Sequence, residues 1–181
     1  MTASVQPSGV ERTFGPEELI VSKTDSRGRI TYANDVFLRV SRYAEHEVLG
    51  RPHNIIRHPD MPRSIFQLMW STIQRGDEVF AYVLNLAADG AQYWVLAHIT
   101  ATRDPDGTIT GYHSNRRRPA DDAIGPITEL YATVRRAERR SAEPRQALDA
   151  GMVVLQTAIR SAHIDYDQYV WSLIGANARD R

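Results

Sequence analysis

The chain reads as an α+β domain, a five-stranded antiparallel sheet with short helices on one face, followed by C-terminal α-helices. Three observations predict this. Two short apolar segments flank a turn near the N-terminus, and three alternating segments follow between residues 78 and 117. The stretch between these two groups carries only short helical patterns. After residue 120 the apolar spacing becomes that of longer helices. The expected division is a flexible lead or N-terminal cap at 1–16, the α+β domain at 17–119 and a helical region at 120–181.

Taken in order, residues 19–23 open with Leu19, Ile20 and Val21 and read as a strand. Thr24-Asp25-Ser26-Arg27-Gly28 is a turn, because Gly28 is free to take positive φ. Residues 29–33 alternate and return as the second strand. Asn34-Asp35 can cap a short helix carrying Val36, Phe37 and Val40. A further short helix at 44–50 ends at Gly50 and Pro52. From Pro62 to about Gln74, Ile65, Met69 and Ile73 share one helical face, with Phe66 and Trp70 beside them. From Glu78 the period is two: Val79, Ala81, Val83 and Asn85 share one face, and Phe80, Tyr82, Leu84 and Leu86 the other. Asp89-Gly90 is a hairpin turn, and Asp106-Gly107 turns the chain again before a last strand at 109–117.

Both faces of the strands at 79–86 and 93–101 are apolar, so the outer face needs a cover. The N-terminal lead, the C-terminal helices or a second subunit can supply it. Pro126 suits the first turn of a helix carrying Ile127, Leu130, Tyr131 and Val134. A second helix carries Leu148, Met152, Leu155, Ile159, Ala162, Tyr166, Tyr169 and Leu173, in steps alternating four and three. That stripe fits association between helices, in a dimer or with a partner. It also fits a surface helix with a wide apolar face.

The 181 residues carry 22 Lys+Arg and 22 Asp+Glu, so no net field steers the chain to nucleic acid or anionic lipid. Cysteine is absent, which excludes disulfides, thiolate metal sites and cysteine nucleophiles. The N-terminus lacks an apolar secretory core, and no apolar run reaches the ~20 residues of a membrane span. The expected location is therefore the cytosol. No catalytic triad, metal-ligand spacing or phosphate loop stands out, and an enzyme is not expected.

The densest chemistry lies in Asn54-Ile55-Ile56-Arg57-His58-Pro59-Asp60-Met61-Pro62-Arg63. The two prolines fix the backbone and stop any helix entering it. Asp60 can cap the helix that follows. Arg57 and His58, just before a helix start, form either an anion or ligand site or a solvated tight turn.

This stretch resembles the signature of the flavin-binding PAS domains of bacterial aerotaxis receptors. Tyr32-Ala33-Asn34, Trp70, Asn85 and Tyr93-Trp94 match as well, and the resemblance covers roughly residues 15–119. It implies a PAS fold holding FAD non-covalently through Arg57, His58 and Asp60, with Asp60 orienting Arg57 or capping the helix. Asn34 and Asn85 are inward amides that need partners, and the flavin edge offers them. Phe66, Trp70 and Tyr93 pack either on the ring system or in the core. Without cysteine, light sensing through a cysteine–flavin adduct is excluded. The chain departs from the family at Val79-Phe80-Ala81-Tyr82 and at Leu86-Ala87-Ala88.

The implied function is a cytosolic redox or oxygen sensor for energy taxis. Its expected partners are a second copy, through the outer sheet face and C-terminal helices, and a membrane-bound chemotaxis transducer. No nucleic acid and no direct membrane insertion are expected. The alternatives are a cofactor-free PAS interaction module and a haem-binding PAS oxygen sensor.

Overall fold

The computed structural model describes residues 5–160 and 166–175; Ala162 and His163 lie outside them. The element order is β1 (Ile20–Asp25), β2 (Ile30–Ala33), α1 (Asp35–Ser41), α2 (Glu45–Val48), a 3₁₀ turn (His53–Ile56) and α3 (Arg63–Gln74). There follow β3 (Val79–Leu86), β4 (Gln92–Arg103), β5 (Ile109–Arg117), α4 (Asp121–Glu138), α5 (Pro144–Arg160) and α6 (Tyr166–Gly175). The strands form one sheet in the order β2-β1-β5-β4-β3, antiparallel throughout. The α+β class and the five strands are those expected.

The first hairpin turns on Asp25, whose carboxylate accepts from the amides of Arg27 (2.9 Å) and Arg29 (2.8 Å). Gly28 sits at φ +77°, the left-handed region that its missing Cβ permits. β5, last in the chain, inserts between β1 and β4. This register sets Ser114 between Ser22 and Ile99, and Arg116 between Ile20 and Ala97. Asn85 pairs with Tyr93 across β3 and β4. Polar groups from three strands therefore share the inner face, under α3.

β3 is an edge strand whose free groups are covered by the chain itself. The Tyr131 hydroxyl donates to the Tyr82 carbonyl at 2.7 Å. The Leu84 amide donates to Met61 Sδ at 3.2 Å, and Arg57 makes a backbone bridge to Asn85.

The outer face is covered by the C-terminal helices. Trp171 of α6 packs on Phe80 with centroids 4.8 Å apart, and Tyr131 of α4 lies 6.1 Å from Trp94. Phe80 and Tyr82 are thus the seats of α6 and α4. The lead lies beside the β3–β4 turn, where the Ser8 amide donates to Gly90 and the Arg12 amide to Gln92, both at 2.8 Å.

The C-terminal region differs from its expected form in two ways. α4 begins at Asp121, so Pro126 lies inside the helix rather than in its first turn. The described residues of the long stripe lie on α5 and α6, and Leu155, Ile159 and Tyr166 among them are buried in the same core as the sheet. The apolar face that suited association between chains packs within this one.

Candidate ligand cavity

A cavity of about 560 Å³ lies between the inner sheet face and α3, within the usual size of a small-molecule site. Met69, Trp70 and Ile73 of α3 form one wall, and Val83, Ala97 and Ile99 of the sheet form the other. Phe66 and Trp70 both border it. Trp70 meets Tyr112 edge to face with centroids 5.5 Å apart.

Into this apolar space the sheet sends Asn85, Ser114 and Arg116, all buried. Asn85 Nδ2, Ser114 Oγ and Arg116 Nη1 have no hydrogen-bond partner among the described residues. Burial lowers the Arg116 pKa to about 10, which still leaves the guanidinium charged at neutral pH. Its Nη2 lies 2.8 Å from His53 Nε2, and Ser22 Oγ is 3.1 Å from the same nitrogen. A guanidinium can only donate, so Nε2 accepts. Burial and then the Arg116 charge hold the His53 pKa well below its usual value, so the imidazole is neutral. Buried polar groups left without partners are costly.

At the cavity rim stand Arg27, Arg57 and Arg63, and none of them is ion-paired among the described residues. The Arg57 guanidinium lies 4.0 Å from the centre of the Phe66 ring and donates to the Met61 carbonyl at 3.3 Å. Burial, then Arg63, lowers its pKa.

Of the eight expected site residues, Arg57, Phe66, Trp70 and Asn85 line the cavity. Asn34, His58, Asp60 and Tyr93 do not. The Asn34 amide is engaged at the β2–α1 junction, where it caps α1 and ties it to β1. It accepts from Val21 and Phe37 and donates to Leu19, all within 3.0 Å. His58 is buried, and its Nδ1 accepts from the Asp60 amide at 3.0 Å. Asp60 pairs with Arg135 of α4 and does not cap α3. That role falls to Glu138, one turn beyond Arg135 at the end of α4. Its carboxylate accepts from the amides of Arg63 (3.0 Å) and Ser64 (2.8 Å) and from the Ser64 hydroxyl. Tyr93 is buried in the sheet opposite Asn85.

The sequence reading missed Ser22, His53, Ser114 and Arg116. The signal was present for Ser114 and Arg116, because the alternation that turns Tyr112 inward also turns them inward.

An inner-face cavity under one helix, beside a sheet of this strand order, is the arrangement of a PAS domain. A family profile described as the PAS fold matches residues 20–114, and the chain belongs to that family. It is similar to the aerotaxis receptor of Escherichia coli strain K12. The two are 42% identical over 113 residues, 62% of this chain and 22% of that protein. It is also similar to the nitrogen fixation regulatory protein of Klebsiella pneumoniae, 33% identical over 97 residues, 54% of this chain and 20% of that protein. The chain thus spans about a fifth of the length of these relatives. Among solved structures it resembles the light state of the blue-light photoreceptor Aureochrome1 LOV. That match has a TM-score of 0.55 at 23% identity and covers 63% of this chain and 88% of that one. A LOV domain studied with a flavin analogue gives a TM-score of 0.54 at 24% identity, covering 64% and 86%. These last two bear on the fold alone.

Proposed function

We infer that the chain is a cytosolic energy-taxis sensor that holds a flavin, as FAD, in this cavity and reports its redox state. The observation that carries this is the convergence of Asn85 Nδ2, Ser114 Oγ and Arg116 Nη1, buried and without partners, on an apolar space. A flavin fits that demand: a flat apolar body, one edge of carbonyls and ring nitrogens, and a phosphate tail for the arginines at the rim. The similarity to the aerotaxis receptor supports the same reading. Bound there, a flavin supplies one- and two-electron redox chemistry.

The chain's own residues would do the rest. Arg116 and Ser114 bind the polar edge, Phe66 and Trp70 hold the ring plane, and Arg57 with Arg63 holds the phosphates. His58 and Asp60 act indirectly, by fixing the loop that carries Arg57. Asn85 has both a donor and an acceptor, so by turning, its amide would meet either protonation state of a bound ring edge. Its backbone bridge to Arg57 leads from there to α3. The receiver is a chemotaxis transducer. His53 is held by Arg116 and Ser22, which disfavours a haem ligated from this wall.

The test is an absorption spectrum of freshly purified protein, followed by denaturation and identification of the released chromophore. Flavin bands with FAD released support this reading. Release of FMN corrects the cofactor. A colourless protein that takes up neither overturns it.

A further inference from the structure

The cavity is bordered not only by residues inside the family match but also by Pro144 and Leu148 of α5, beyond it. Three contacts seat that helix and its neighbour on the cavity wall. Glu138, the last residue of α4, takes the first free amides of α3 and the Ser64 hydroxyl. Arg135 donates to the Asp60 carbonyl at 3.1 Å and pairs with its carboxylate, holding the loop before α3. Gly151 lets α5 close over both: a Cβ there would stand 2.0 Å from Ser64 Oγ and 2.8 Å from Glu138 Cγ. The same helix, α3, carries Phe66 and Trp70 into the cavity.

We propose that the α4–α5 hairpin is the lid of the ligand site, latched by Glu138 and Gly151 on the start of α3, so that ligand binding and lid docking favour each other. The proposal rests on the flavin reading for the identity of the ligand, but not for the lid. A ligand that touches Leu148 from one side and Phe66 from the other binds the docked form better than the open one. Linkage then makes docking and occupancy rise together. The lid also gives the helical region a means of sensing the cavity: a change of ligand that shifts α3 is felt at the Glu138 carboxylate.

The test compares the full chain with Gly151→Ala and with Glu138→Gln. Alanine is a better helix former than glycine, so a looser α5 in the first variant reports lost seating, not a weaker helix. The second variant keeps the shape of the side chain and weakens its acceptance. Hydrogen exchange over residues 144–160 and the rate of flavin release are measured in each. The proposal expects faster exchange in α5 with the sheet still protected. Flavin release should quicken by about tenfold, within the 5–150-fold span of ordinary coupled sites. Looser α5 with unchanged release overturns the lid and leaves the flavin reading standing. If the wild-type protein binds no flavin, the flavin reading fails, and the lid is read with the apolar dye anilinonaphthalene sulfonate. Greater dye uptake by both variants supports it; uptake equal to wild type overturns it.

Discussion

The Arg116 guanidinium stands 2.8 Å from the Nε2 of His53, deep in the inner sheet face. The Ile20–Arg116 pairing of β1 with β5 places it there, and no ion pair among the described residues balances its charge. The imidazole beside it is neutral and accepts one N–H; Nη1 is left aimed at the cavity. The pair shapes both the stability of the domain and the chemistry of what it binds.

The first consequence is a dependence of stability on acid. Burial and the Arg116 charge keep folded His53 from taking a proton, whereas in the unfolded chain it titrates near 6.5. Above about pH 6.5 neither state binds that proton and the full stability is present. Below it the unfolded state gains a proton that the folded state refuses. Stability then falls by up to about 1.4 kcal/mol per pH unit until the lowered folded value is reached. His58, also lowered by burial, adds in the same direction. Urea unfolding at about pH 7 and about pH 5 should show the loss, and His53→Asn should reduce it. An unchanged pH dependence in that variant contradicts the assignment.

Arg116→Met separates binding from folding. Replacing a buried charge that lacks a counter-ion by an apolar side chain of similar length is often neutral or stabilising. The ligand-free variant should therefore melt no lower than wild type, while its flavin affinity falls by about tenfold or more, a cost of at least about 1.4 kcal/mol in binding. Thermal melts and fluorescence titration give the two readings. A large loss of stability with unchanged affinity would make Arg116 a structural residue only.

Tyr131→Phe tests the cover of the β3 edge. The hydroxyl donates to the Tyr82 carbonyl at 2.7 Å and lies 3.1 Å from the Tyr166 hydroxyl, all buried. Losing it strands polar atoms in the core, at a cost of about 1–3 kcal/mol. Denaturant unfolding should show a lower midpoint at constant slope. No change in midpoint would mean that water replaces the hydroxyl.

Gly28→Ala tests the contact of the first hairpin with the cavity. At φ +77° a side chain costs about 1–2 kcal/mol. The new Cβ would also lie 2.8 Å from the Trp70 ring, which must move. Lower stability and changed Trp fluorescence are expected together. A stability loss with Trp70 undisturbed would detach the turn from the site.

The sequence made the sheet legible because each strand is bounded by local chemistry: Asp25 to Gly28, Asp89-Gly90 and Asp106-Gly107 turn the chain, and strict alternation sets the faces. Helical period likewise placed Phe66 and Trp70 on α3, and strand period placed Asn85 inside. What stayed hidden depends on distant partners. The cap of α3 comes from Glu138, 74 residues beyond Ser64. No local pattern distinguishes it from Asp60, which has the right type and place for a cap and is drawn away by Arg135. Asn34 shows the same ambiguity, since an amide that closes a strand–helix junction reads like one that meets a ligand. Arg116 is legible from the alternation of β5, whereas His53, which it meets, lies 63 residues away and no local pattern joins them.

The central claim is that the inner-face polar groups bind a flavin. Its most direct measurement is titration of FAD into stripped protein, followed by fluorescence, for wild type and for Asn85→Leu. The account predicts saturable one-site binding in the wild type, weakened by about tenfold or more when the amide is lost, as expected for about 1.4 kcal/mol or more from a buried hydrogen bond. Equal affinity in the two proteins, or no saturable binding in the wild type, would contradict it.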